Sequence, residues 1–243
     1  MEVSVEKLKK SFGDKIAINI DKLYVPENTV LGIVGNNGAG KTTLFRLMLD
    51  LLKPDTGSVN LKFTLSDKTT MGTNVNVDEE WKKYTGAFID SGFLIDYLSP
   101  EEYFEFIARI NGIDRQSLYN HLEDFGTFMN GEIMGQNKLI RNMSAGNRQK
   151  VGIISSFINS PQLLILDEPF NFLDPTSQNC LKKLLVEYGE ETGATIIVSS
   201  HNLTHTIDIS KRIVLMEDGK VIRNISENDK NARQELEEYF IKN

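Results

Sequence analysis

Residues 35–42 read Gly35-Asn36-Asn37-Gly38-Ala39-Gly40-Lys41-Thr42, between the apolar run Val30-Leu31-Gly32-Ile33-Val34 and a helically spaced stretch from Thr43 to Leu52 that stops before Pro54. A short apolar run of this kind reads as a buried strand, and the loop pattern Gly-x-x-x-x-Gly-Lys-Thr then opens a helix. Each residue type has a physical job there. The glycines permit turns at positive φ and leave main-chain N–H groups free to face an anion. Lys41 is a compact charge suited to β- and γ-phosphates, and the Thr42 hydroxyl suits a Mg²⁺ shared with them. Gly35 through Thr43 are thus expected to hold a nucleoside triphosphate at a helix N-terminus.

A length of 243 residues with 40 % hydrophobic content suits one large α/β domain, or a core carrying subdomains. The net charge of −7 and the lack of a long basic block argue against a nucleic-acid partner. One cysteine, Cys180, excludes an internal disulfide and fits a reducing compartment; its place in a helical pattern with Leu181, Leu184 and Leu185 points to a packed thiol. No apolar run approaches the ~20 residues that a spanning helix needs. The start, Met1-Glu2-Val3-Ser4-Val5-Glu6, lacks the apolar core of a signal peptide. The chain is therefore expected in the cytoplasm, with any membrane-spanning work done by another chain.

Alternation at Val3 and Val5, at Ile16, Ile18 and Ile20, and again over Gly57–Phe63 predicts half-buried antiparallel strands. Residues 66–83 are polar and irregular and read as a surface excursion. Ser99-Pro100-Glu101-Glu102 is a capping box with proline at the first helical position; Tyr103, Phe104, Ile107 and Ile110 line the helix, and Gly112 ends it. A second helix is expected around Leu118, Leu122 and Phe125. Further on, Leu163–Leu166, Thr195–Val198 and Ile213–Met216 are continuous apolar runs, as in strands covered on both faces. Asp218-Gly219 reads as a hairpin turn. The expected organisation is one unit: an antiparallel β subdomain over 1–28 and 57–84, a helical subdomain over 91–160, a nucleotide-binding core over 29–56 and 161–225, and a tail helix over 226–243.

Leu163-Leu164-Ile165-Leu166-Asp167-Glu168-Pro169 sets two acids at the C-terminal end of a buried strand, the sheet edge where ligands sit in open α/β folds. Asp167 suits a hydrated Mg²⁺ and Glu168 an attacking water, unless the two acids simply open a loop. Met143-Ser144-Ala145-Gly146-Asn147-Arg148-Gln149-Lys150 starts a helix over Val151, Ile154 and Ile158. Helix capping alone explains Ser144, while the small residues also suit a second anion site.

Taken in order, phosphate loop, Ser-x-Gly-x-Arg-Gln helix start and Asp-Glu-Pro strand end resemble the ATP-binding subunit of ABC transporters. Asn171-Phe172-Leu173-Asp174 is similar to that family's loop after the catalytic acid, with Asp174 at its aspartate. Ser199-Ser200-His201 resembles its switch histidine, which contacts the γ-phosphate. Phe12 falls where the family stacks an aromatic ring on adenine, with core packing as the alternative. The resemblance implies a P-loop NTPase with a RecA-like, mainly parallel core. It also implies a head-to-tail pair, with a second copy or a homologous subunit, in which ATP on one phosphate loop meets Ser144 and Gly146 of the other copy. A separate membrane-spanning permease would place the chain peripherally on the inner face of the cell membrane.

Asp90 aligns with the family's glutamine that reaches Mg²⁺ and water, keeping a hard oxygen with a shorter reach. Asp90 is thus a candidate catalytic residue beside Glu168 and His201, and a candidate metal ligand beside Thr42 and Asp167. Ala145 and Asn147 replace the commoner glycine and glutamine. Phe93, Leu94, Tyr97 and Leu98 are candidates either for permease docking or for packing within the helical subdomain. The acid at 90, the form of the helix start and the tail ending Leu236–Phe240 are similar to exporter ATPases. The alternative is a soluble assembly ATPase of the iron–sulfur scaffold type.

Overall fold

The computed structural model describes residues 1–65 and 67–226. The expected tail helix and the exporter-like stretch at Leu236–Phe240 lie, beyond Ser226, outside the described residues. In chain order, β1 (Glu2–Phe12) and β2 (Lys15–Val25) form a hairpin, and β3 (Val30–Val34) runs through the glycine loop into α1 (Lys41–Met48). After β4 (Thr56–Thr64), β5 (Thr70–Asn74) and β6 (Thr85–Phe88) come the helices α2 (Pro100–Ile110), α3 (Arg115–Glu123), α4 (Gly126–Met129) and α5 (Ala145–Ser155). The chain closes with β7 (Leu163–Leu166), α6 (Pro175–Thr192), β8 (Thr195–Ser200), α7 (Leu203–Ile207), β9 (Arg212–Glu217) and β10 (Lys220–Ser226).

These strands make two sheets. One is antiparallel, in the order β2-β1-β4-β5; the other has the order β10-β9-β3-β8-β7-β6 and is parallel except for its last hairpin. Every residue of β3, β7 and β8 is buried, as their unbroken apolar runs predict. The side-chain period of two divides each strand between two cores. Leu164, Leu166, Ile196 and Val198 pack with the helical region, whereas Leu163, Ile165, Ile197 and Leu31 pack with α1 and the antiparallel sheet. The Asp218-Gly219 turn has φ of +46° and +74°, the paired left-handed conformation of a tight hairpin.

Register decides where the functional side chains meet. β8 lies between β3 and β7, pairing Val34 with Ser200 and Leu166 with Val198. The segments that leave β3, β7 and β8 (the phosphate loop, Asp167-Glu168 and His201) therefore emerge side by side at one edge.

Two local expectations differ from the structure. The excursion at 66–83 contains β5, paired with β4 from Asn60↔Asn74 to Thr64↔Thr70, and a 3₁₀ turn whose Trp81 is 2 % exposed. The polar stretch carries little apolar alternation; its pairing comes from a distant strand, and its burial from one indole whose Nε1 donates to Asp78 O at 2.8 Å. The helix after the phosphate loop ends at Met48 rather than Leu52, and Asp50 turns the chain at φ +55°.

Candidate active site

The phosphate loop bends through Gly38 and Gly40, the latter at φ +101°, where a Cβ would stand 2.7 Å from Ala17 O. Only glycine fits that close approach. Lys41, 6 % exposed, donates from Nζ to Gly35 O at 2.6 Å and lies 3.3 Å from Glu168 Oε1. The ammonium is thus held between its own loop and the acid that follows β7. A cavity of about 310 Å³ opens here, lined by Phe12, Lys15 and Ala17 on one side and by Asn37, Gly38, Ala39, Gly40, Lys41, Thr42, Thr43 and Glu168 on the other. Gly35 is buried at the end of β3, and Asn36 O receives a second, longer bond of 3.4 Å from Lys41 Nζ. Phe12, 53 % exposed at the end of β1 opposite Lys15, lines this cavity instead of packing in the core, with Lys10 Nζ 5.9 Å from its ring centroid.

Thr42 Oγ1 donates to Asp167 Oδ2 at 2.5 Å, and Ser199 Oγ donates to Asp167 Oδ1. Burial pushes the Asp167 carboxyl above its ordinary range, while the Ser199 and Thr42 hydroxyls and then the Lys41 charge pull it back. Two hard oxygens next to a phosphate cradle are the donor chemistry that Mg²⁺ uses, since it takes one or two protein oxygens and completes its shell with phosphate and water. The residues present fit that ion.

Glu168 has φ +48°, uncommon for a residue with a side chain and worth roughly 1–2 kcal/mol of strain. Its backbone is pinned on both sides. The N–H donates to Ser199 Oγ at 2.8 Å, and the carbonyl accepts from Asn171 N at 3.2 Å and Gln149 Nε2 at 3.2 Å. The strained turn aims the carboxylate along the sheet edge. There Oε2 lies 2.8 Å from His201 Nδ1 and accepts from His201 N at 3.2 Å. Glu168 thus joins Lys41 to His201, Asp167 holds Thr42, and Ser199 links the two acids.

Other candidates stand apart. Asp90 caps the short turn after β6, accepting from Gly92 N, and lies 3.9 Å from Arg46 Nη2. Neither contact joins it to the Thr42–Asp167 pair. Ser144 caps α5 by accepting from Asn147 N at 3.2 Å, and a Cβ on Gly146 would lie 2.7 Å from Phe172 O. Asp174 caps α6, accepting from Thr176 N at 2.9 Å and Ser177 N at 3.0 Å. None of these three lines the cavity within one chain. Phe93 and Tyr97 face outward, 57 % and 72 % exposed, whereas Leu94 is buried and Leu98 packs on the helical core.

Sequence reasoning gave no role to Ser199, whose hydroxyl serves both acids, nor to Gln149, which holds the strained carbonyl. The signal for the first is a Ser-Ser pair that follows the apolar run Ile196–Val198 and precedes His201; Gln149 needs the three-dimensional packing of α5.

A family model described as ABC transporter matches residues 18–171. The chain belongs to the ABC transporter family. The bacitracin transport ATP-binding protein BcrA of Enterococcus faecalis is 32 % identical over 240 residues, covering 97 % of this chain and 73 % of that one. The lantibiotic transport ATP-binding protein SrtF of Streptococcus pyogenes is 28 % identical, covering 98 % and 95 %. A solved dimeric bacterial ABC transporter cassette superposes with a TM-score of 0.77 at 23 % identity, over 93 % of this chain and 99 % of that one, and shares the P-loop NTPase fold. As an ATP-binding subunit of the ABC transporter family, the protein is an ATPase whose hydrolysis is coupled to transport. Among the described residues no helix is long and apolar enough to cross a membrane.

Proposed function

We propose that this ABC subunit hydrolyses ATP in a head-to-tail pair and so drives a separate membrane-spanning permease outward, as an exporter. The observation that carries the chemistry is the contact chain from Lys41 through Glu168 to His201 beside the Thr42–Asp167 pair. Phe12 receives the adenine, and Gly35 through Thr43 cradle the phosphates with N–H groups at the start of α1. Thr42 and Asp167 would hold Mg²⁺, which when bound would neutralise charge on the phosphate oxygens. Glu168 polarises the attacking water and His201, sharing its carboxylate, meets the γ-phosphate, so water is positioned and developing charge is met in one place. Asp90, which here meets Gly92 N and Arg46, would supply a further oxygen only where closure carries it to the ion.

Pairing is supported by the position of Ser144 and Gly146, which stand outside the cavity of their own chain and so are free to complete that of a second one, and by the dimeric cassette of the same fold. Export is supported by the acid at 90 and by relatives named for bacitracin and lantibiotic transport. Those names favour transport over the assembly alternative. A permease partner places the chain on the inner face of the cell membrane, and the exposed Phe93 and Tyr97 suit its docking.

The test is co-expression with the membrane protein of the neighbouring reading frame, one with about six apolar ~20-residue segments. In vesicles, ATP turnover by the complex should rise with transport, and Glu168→Gln should abolish both. Turnover indifferent to that partner would defeat the reading.

A further inference from the structure

A second cavity, of about 360 Å³, lies between the helical region and α6, and none of its lining residues lines the nucleotide cavity. One wall is aromatic. Phe125 and Phe157 are buried and meet edge to face at 5.3 Å; Phe157 meets the Tyr188 ring in the same way at 5.0 Å, and His121 meets Phe125 at 5.4 Å. The Tyr188 hydroxyl already donates to Pro161 O at 2.9 Å, so Tyr188 offers its ring alone. Leu184 and Cys180 continue that wall along α6. Burial pushes the Cys180 thiol up, so it brings no charge.

The rim is charged and unbalanced. Asp124, at the end of α3, and Glu187 and Glu191, one turn apart on α6, stand against a single lysine, Lys183. Among the described residues no ion pair or side-chain hydrogen bond engages Lys183, Glu187 or Glu191. His121 sharpens the imbalance. Phe157 O, 3.1 Å from His121 Nε2, can only accept, so in the neutral ring the proton sits on Nε2. Nδ1 is then left as an acceptor 3.6 Å from Asp124 Oδ2, a pair that an N–H donor satisfies. Aromatic rings attract a cation through their quadrupole, and acids at the mouth add to that field. We propose that this cavity binds a small organic cation with an apolar body, a primary amine on an alkyl or aryl-alkyl chain. Its apolar part lies against Phe157, Leu184 and Tyr188, and its ammonium meets Asp124, Glu187 and Glu191. The size fits, since small-molecule sites run from roughly 300 to 1,000 Å³, with apolar walls and a few placed polar groups. A carboxylate would meet three like charges, and a neutral ligand would gain nothing from them. The site does not depend on pairing or on export.

The test is calorimetric titration of the full chain with 4-phenylbutylamine, 4-phenylbutanol and 4-phenylbutyrate, one skeleton in three charge states. The amine should bind about tenfold more tightly than the alcohol, and the carboxylate more weakly than either. Glu187→Gln combined with Glu191→Gln, both exposed on α6, should weaken the amine about tenfold and leave the alcohol within about twofold, a split that loss of structure would not give. Leu184→Trp, which fills the cavity, should weaken amine and alcohol together. ATP affinity should be the same in all these variants, since none alters the nucleotide cavity. The site is overturned if amine and carboxylate bind equally, if the amine does not bind at millimolar concentration, or if the double substitution leaves its affinity unmoved. Exclusion of the amine by a bound permease would give the cavity to that partner and overturn the small-molecule assignment. Should Leu184→Trp fail to fold, the double substitution still decides.

Discussion

His201 Nδ1 lies 2.8 Å from Glu168 Oε2, while the other oxygen of the same carboxylate lies 3.3 Å from Lys41 Nζ. One acid thereby joins the phosphate-loop lysine to the residue that follows β8. Removing its charge separates the two without emptying the phosphate cradle.

Glu168→Gln is therefore expected to keep ATP binding and to lower turnover by about 100-fold or more, the scale of a lost general base. Filter binding of ATP beside a phosphate-release assay measures both. Near-wild-type release would remove Glu168 from its role.

Ser199 is fully buried and serves two acids, donating to Asp167 and accepting from Glu168 N at 2.8 Å. Ser199→Ala leaves the partly buried Glu168 N–H and the buried Asp167 carboxylate each without this partner, an expected loss of about 1–3 kcal/mol in stability. It should also slow turnover more than it weakens ATP binding, since both acids lose a support. Urea unfolding and a separate reading of kcat and KM check the two effects.

Asp90 meets Gly92 N and Arg46 instead of the Thr42–Asp167 pair. If it reaches the ion on closure, Asp90→Ala will raise the Mg²⁺ concentration needed for half-maximal turnover, and Asp90→Gln will restore part of it. A Mg²⁺ titration that both variants leave untouched would assign Asp90 to capping alone.

His205 stacks on Phe170 at 4.9 Å, and its Nδ1 is buried without a hydrogen-bond partner. Burial, followed by the charge of Lys182, lowers its pKa below 6.5, while Asp208 and Glu168 act against this and His201 adds to it. The unfolded chain then takes up this proton before the folded one. Stability should be undiminished above 6.5 and fall as pH drops from there to the lowered folded value. Comparing thermal melts of wild type and His205→Phe from pH 7.5 to 5 tests this; an equal slope in both would locate the titration elsewhere.

Much of the site was legible because its signals are local. The glycine spacing at 35–42, the acids closing an apolar run at 163–168 and the capping box at 99–102 each follow from the backbone geometry of a few neighbouring residues. Phe12 lines the cavity beside the phosphate loop, and its exposure in place of core packing is a matter of fold. The strand at Thr70–Asn74 and the burial of Trp81 were not legible, since both depend on β4 and its surroundings rather than on alternation in the segment itself.

The sequence by itself determined a phosphate loop at the head of a helix, two acids at the end of a buried strand and a histidine at the end of another. Only the tertiary structure decided that these ends adjoin. Strand order is a long-range property, and placing β8 between β3 and β7 brings Lys41, Glu168 and His201 within hydrogen-bonding reach across some 160 residues of chain, from 41 to 201. It also decided what each acid touches, which φ values are strained, and that Phe172 faces outward. Those are outcomes of packing, where a side chain's place is set by whatever the rest of the chain has already filled.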